Sequence, residues 1–99
     1  MLNVSKTVEN GKALFALSGR LDTATAPKLE NELKDSLDGV SELTLDFAGV
    51  EYISSAGLRV LLWAQKLMNR QGVMKLRNVN GIVMEIFEVT GFSDILTIE

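Results

Sequence analysis

The sequence predicts an α/β domain: a mixed β-sheet with an opening hairpin and α-helices packed on it. Three features point there. Two short alternating segments are joined by Asn10-Gly11, apolar runs too long for strands lie between segments of period two, and turn residues stand at the changes of period. Leu2 to Val8 and Ala13 to Ser18 alternate, and Asn-Gly between them is the strongest short hairpin signal, so two antiparallel strands are expected. Gly19 to Thr25 breaks the alternation. Pro27 then stands where a first-turn proline belongs, and Leu29, Leu33 and Leu37 recur every four residues, which predicts an amphipathic helix ending near Gly39. Glu42 to Phe47 alternates again and predicts a strand, with Ala48 to Ile53 carrying the chain from its end towards the next helix. The run from Leu58 to Met68 is too long for a strand and predicts a helix ending near Gly72, followed by a short strand from Val73 to Arg77. Asn80-Gly81 opens a third helix with Ile82, Val83, Ile86 and Phe87 on one side and Gly91 as its stop; Ile95 to Ile98 is expected as a last strand.

Composition bounds the function. With 99 residues, 46% hydrophobic, 23% charged and one proline, the chain fits one compact domain from residue 1 to 99. Such a domain buries roughly 60 to 65% of its unfolded surface. A net charge of -3 without a Lys/Arg cluster argues against direct binding to nucleic acid. The absence of cysteine and histidine excludes disulfides, thiolate or imidazole metal sites, and catalysis by Cys-His or Ser-His-Asp groups. No metal, cofactor or catalytic residue is therefore expected, and an enzyme is not. The N-terminus has no signal-peptide core and no stretch approaches the roughly 18 apolar residues of a membrane span, so the expected location is cytoplasmic with no membrane partner.

Ser54 and Ser55 precede the second predicted helix, at the end of a strand, where mixed sheets place their binding loops. Serine is a preferred N-cap, and capping alone accounts for such residues, contributing about 0.5 to 2 kcal/mol. Nucleophilic catalysis lacks a base, and Ile53-Ser54-Ser55-Ala56-Gly57 does not match G-x-S-x-G. Phosphate acceptance needs less, because a kinase supplies the base and the magnesium while this chain supplies an exposed hydroxyl. The positive end of the helix dipole also suits the product. Local chemistry leaves capping and phosphorylation both open.

Three segments carry a resemblance: L-S-G-R-L-D-T-A-T-A from Leu17 to Ala26, L-T-L-D-F-A-G-V-E-Y-I-S-S-A-G-L-R-V-L from Leu43 to Leu61, and I-F-E-V-T-G-F from Ile86 to Phe92. Through them the chain resembles bacterial anti-sigma factor antagonists, single STAS domains of partner-switching systems. The resemblance implies a regulator of transcription whose unphosphorylated form binds an anti-sigma factor, a serine kinase related to the histidine-kinase ATPases, and thereby frees a sigma factor. Matching the motif two residues before its glycine, Gly57, places the phosphorylated serine at Ser55, with a phosphatase to reset it. Many members carry Asp where this chain has Ser54. The resemblance also draws Asp22, Thr23 and Asp46 towards the partner-binding surface around Ser54, Ser55 and Gly57. Turn chemistry accounts equally well for the two aspartates, Asp22 as a cap for the first helix and Asp46 fixing a turn. Gly57 has two readings, close packing of the helix start and room for a kinase to approach the backbone. A STAS scaffold or accessory subunit with a non-sigma output, such as a stressosome-like or lipid-transport component, is the alternative reading.

Helix geometry adds a clue independent of the family. At 100° per residue Arg59, Trp63, Lys66 and Arg70 share one side, across from Val60, Leu61, Ala64 and Met68. Trp63, the single tryptophan, thus stands among charges, either covering the core edge or anchoring a partner together with Arg59.

Overall fold

The computed structural model describes residues 1–99. Its elements are β1 (Leu2–Glu9), β2 (Lys12–Leu21), α1 (Ala26–Ser36), β3 (Glu42–Ile53), α2 (Ser55–Gln71), β4 (Val73–Arg77), α3 (Gly81–Thr90) and a 3-10 turn at Phe92–Asp94. The sheet has the order β1-β2-β3-β4, with β1 antiparallel to β2 and the other neighbours parallel. The hairpin forms because Asn10 and Gly11 adopt φ of 52° and 78°, the left-handed pair that a two-residue turn between twisted strands needs.

The helices cover one face of the sheet. Phe15, Leu17, Leu43, Leu45, Phe47, Met74 and Leu76 point into the buried layer, where they meet Leu29 and Leu33 of α1, Leu61, Ala64 and Met68 of α2, and Val83 and Phe87 of α3. Pro27 lies in the first turn of α1, where its missing N–H costs no hydrogen bond. The alternate residues, among them Lys12, Thr44, Asp46, Lys75 and Arg77, form a polar outer face laced by the pairs Lys12–Glu42, Lys75–Glu99 and Arg77–Asp46.

Three expectations need correction. The segment Ala48 to Ile53 is strand, because β3 continues to Ile53 and β2 to Leu21. Their pairing runs Ala16↔Asp46, Ser18↔Gly49, Gly19↔Val50 and Arg20↔Tyr52, so β3 carries an extra residue at each of two register shifts. Each bulge resets the inward phase, and the buried residues after Phe47 become Val50 and Ile53, three apart. A period-two reading stops at the first bulge. The expected last strand reduces to the single parallel bridge Leu76↔Ile98, held by Leu76 N–H to Thr97 O (2.9 Å) and Glu99 N–H to Leu76 O (2.8 Å). Ile82 does not join Val83 and Phe87 in the core: it is 66% exposed, because α3 turns Val83 and Phe87, four residues apart, to the core and Ile82 falls outside that narrow stripe.

Candidate functional site

The C-terminal ends of β2 and β3 lie side by side, with Leu21 paired to Ile53. One peptide beyond, Ser54 N–H donates to Leu21 O at 2.9 Å, and Ser54 O accepts from Leu58 N–H at 2.9 Å, which starts α2. Ser54 has the extended backbone of an N-cap, yet its Oγ makes no cap bond and is buried without a partner. The expected capping role is thus not realised by either serine side chain. Ser55 is the first helical residue and is exposed. Gly57 is buried beneath it, where an added Cβ would lie 2.8 Å from both Ile53 Cγ1 and Leu21 Cγ. That contact explains the glycine by packing, without recourse to a kinase.

The loop leaving β2 forms the neighbouring wall. Asp22 Oδ1 accepts from the N–H groups of Ala24 (3.0 Å) and Thr25 (3.1 Å), and Thr25 Oγ1 donates to Arg20 O at 2.7 Å. Asp22 therefore tightens the turn that leads into α1. Partial burial opposes its ionisation, but bonds from Thr25 and Ala24 and the charge of Arg20 outweigh it and hold the carboxyl below its ordinary range. Between α1 and α2 a groove of about 300 Å³ opens, with Thr23, Pro27, Glu30, Arg59, Val60 and Trp63 in its walls. Trp63 is half-buried, its ring packed on the core edge with Lys34 Nζ 5.8 Å from its centroid. Arg59 is exposed; Lys66 and Arg70, further along α2, are exposed as well.

Asp22, Thr23, Ser54, Ser55, Gly57, Arg59 and Trp63 are thus brought to one end of the domain. Asp46 is not among them. Seven residues of β3 at about 3.3 Å each separate it from Ile53, roughly 20 Å along the strand. Its carboxylate instead accepts from Ala48 N–H (2.9 Å), Asn78 Nδ2 (3.1 Å) and Arg77 Nε (3.3 Å), fixing the first bulge and tying β3 to the end of β4. Those bonds, Ala48 first, hold its pKa below the ordinary value. Sequence reasoning missed Arg20 and Tyr52, which stack at this end with the guanidinium 4.7 Å from the ring, and missed Glu30 and Lys34 on α1 beside the groove. The four-residue spacing of Glu30 and Lys34 marks a helix face, but only the packing of α1 on α2 sets that face against Trp63.

An exposed hydroxyl beside a shallow groove at the strand ends offers a surface on which a partner can dock. Comparison with known proteins agrees. Residues 3–99 match the STAS domain family. The chain is 40% identical over 91 residues to BtrV of Bordetella bronchiseptica, named as an anti-sigma factor antagonist, covering 90% of this chain and 78% of that protein. It is 30% identical over 98 residues to the anti-sigma-B factor antagonist of Bacillus subtilis, covering 98% and 90%. Among solved structures, the Bacillus cell fate determinant SpoIIAA in its phosphorylated form superposes with a TM-score of 0.74 at 15% identity, over 100% of this chain and 91% of that one. The chain belongs to the STAS-domain family of anti-sigma factor antagonists.

Proposed function

We propose that this protein is an anti-sigma factor antagonist switched by phosphorylation at Ser55. The observation that carries the reading is the exposed Ser55 hydroxyl at the start of α2, beside the groove of Thr23, Arg59 and Trp63, in a chain of this family. The unphosphorylated surface binds an anti-sigma factor, a serine kinase, and a sigma factor is released. Arg59 supplies a cation and Trp63 a broad apolar contact, residue types enriched where binding energy concentrates. The kinase contributes magnesium, nucleotide and base, since a bare serine hydroxyl at neutral pH needs all three. Transfer to Ser55 puts about -1.5 to -2 charges on the contact surface and ends binding, and a phosphatase restores it. The reading sets the protein in the cytoplasm, where sigma factors act; no helix is long and apolar enough to cross a membrane.

Incubation with its anti-sigma factor and Mg-ATP, followed by tandem mass spectrometry, tests the acceptor. One phosphate on Ser55 is expected. Modification of Ser54 or Thr44 with Ser55 untouched overturns the assignment. Ser55→Ala is expected to keep partner binding and lose phosphate acceptance, since Ser55 is exposed at the surface.

A further inference from the structure

We infer that the free edge of β1 is a self-association site, at which two copies pair β1 with β1 antiparallel and extend the sheet across a two-fold axis. The two edges of the sheet are unequal. At β4 the N–H and C=O of Leu76 are taken by Thr97 and Glu99. At β1 the ladder to β2 is unbroken from Leu2 to Glu9, and Met1 O accepts from Arg20 N–H. Pairs in an antiparallel ladder alternate, so the odd-numbered residues turn their backbone groups to β2 while Leu2, Val4, Lys6 and Val8 turn theirs outward. Lys28 Nζ donates to Leu2 O at 3.0 Å and covers that carbonyl. Val4, Lys6 and Val8 are left with no chain beside them.

Edge strands are ordinarily guarded by short length, proline, a bulge or a charge. β1 has eight residues, no proline and no bulge. Its one cation, Lys6, is bent onto α1, where Nζ meets Glu32 Oε1 at 2.6 Å and Ser36 Oγ at 3.2 Å, so its charge is already answered within the chain.

The strand is also self-complementary in one register. With Ser5 opposite Ser5 of the second copy, Val4 and Lys6 form hydrogen-bonded pairs on either side of the axis. Leu2 faces Val8 of the second copy on the helix side, covering a valine that is 49% exposed in the single chain. On the outer side Asn3 faces Thr7, and no like charges are opposed. Sliding one way sets Lys6 against Lys6, an unfavourable opposition of like charges, and sliding the other way sets Val4 against Val4 but shortens the ladder and leaves Val8 without a partner. Because the second sheet runs antiparallel to the first, the two Ser55 ends point in opposite directions and both stay open.

Light scattering and sedimentation of the full chain from micromolar to millimolar concentration test the inference. The expected result is a mass that doubles with concentration, with amide exchange at Val4 and Lys6 slowed in the same range. A chain monomeric at millimolar concentration overturns it. Lys6→Pro deletes an outward N–H that the β2 ladder does not use, so the fold should persist while the dimer is lost. A folded Lys6→Pro protein that still dimerises also overturns it. Should that variant fail to fold, the wild-type exchange pattern decides: a dimer with those two amides unprotected pairs elsewhere. Val8→Lys, which leaves the backbone intact, is expected to weaken association.

Discussion

Ser54 and Ser55 are adjacent hydroxyls with opposite surroundings, one with its oxygen shut in at the strand ends and the other exposed on the first turn of α2. The difference favours Ser55 over Ser54 as an acceptor, because a kinase must reach the oxygen it modifies. The two aspartates differ as sharply. Asp22 holds the turn beside the site, whereas Asp46 pins the bulge of β3 to Arg77 and Asn78. Both carboxyls are held below the ordinary value of 3.8. A depressed folded pKa contributes stability that is complete above the unfolded value and is lost as pH falls through the folded value. Chemical denaturation between pH 7 and pH 2 is therefore expected to give a plateau down to about 3.8 and a decline below it. Asp46→Asn should flatten part of that decline and cost about 1 kcal/mol at neutral pH, since an amide oxygen can still accept from Ala48 while the charged bonds to Arg77 and Asn78 weaken. An unchanged acid limb in Asp46→Asn would show that the carboxylate does not hold the bulge.

The site depends on two elements meeting at a fixed distance: the bulged second half of β3 and the first turn of α2. The bulges at Ala48 and Glu51 keep Val50 and Ile53 inward while the strand bends, and Ile53 then forms the floor on which Gly57 sits. An alanine at position 57 gains about 1 kcal/mol of helix propensity. Its Cβ would stand 2.8 Å from two core side chains and 3.1 Å from Leu21 O, and overpacking of that kind costs about 1 to 3 kcal/mol. Gly57→Ala is accordingly expected to lower stability by about 1 kcal/mol in urea unfolding and to displace Ser55 and Arg59 from the groove of Trp63. A stability equal to wild type would mean that the start of α2 has room to spare.

Across the whole molecule, the site sits at the strand ends while the hydrophobic layer lies between sheet and helices, so chemistry at Ser55 touches little of the core. A phosphate at the first residue of α2 is favoured by the helix dipole by about 0.3 to 1 kcal/mol, and repulsion from nearby exposed acids is screened by salt. At an interface the same group meets a surface shaped for a hydroxyl, and mismatched charge there costs several kcal/mol. Phosphorylation of Ser55 is expected to weaken partner binding by at least about tenfold, near 1.4 kcal/mol, while the melting temperature stays nearly unchanged. Calorimetry of both forms, alone and titrated with the anti-sigma factor, checks this; a large fall in melting temperature or equal affinities would reject it.

Features whose cause lies within a few residues were legible in the chain itself. Asn10-Gly11 makes the hairpin through its own backbone angles, Pro27 and the four-residue spacing of leucines make α1, and Asn80 and Gly91 bound α3 by a side-chain cap on Val83 N–H and a left-handed stop. The position of Ser55 at the start of α2 belongs to the same group, because it follows from the motif and the apolar run after it. Other features were decided by partners distant in sequence. Only pairing with β2 reveals that Ala48 to Ile53 is bulged strand, since each extra residue inverts the alternation from which a strand is read. Only the length of β3 carries Asp46 away from the site, and only the packing of α1 on α2 closes the groove beside Trp63. Helices and tight turns store their instructions locally, whereas register, bulges and grooves exist only once two segments have met.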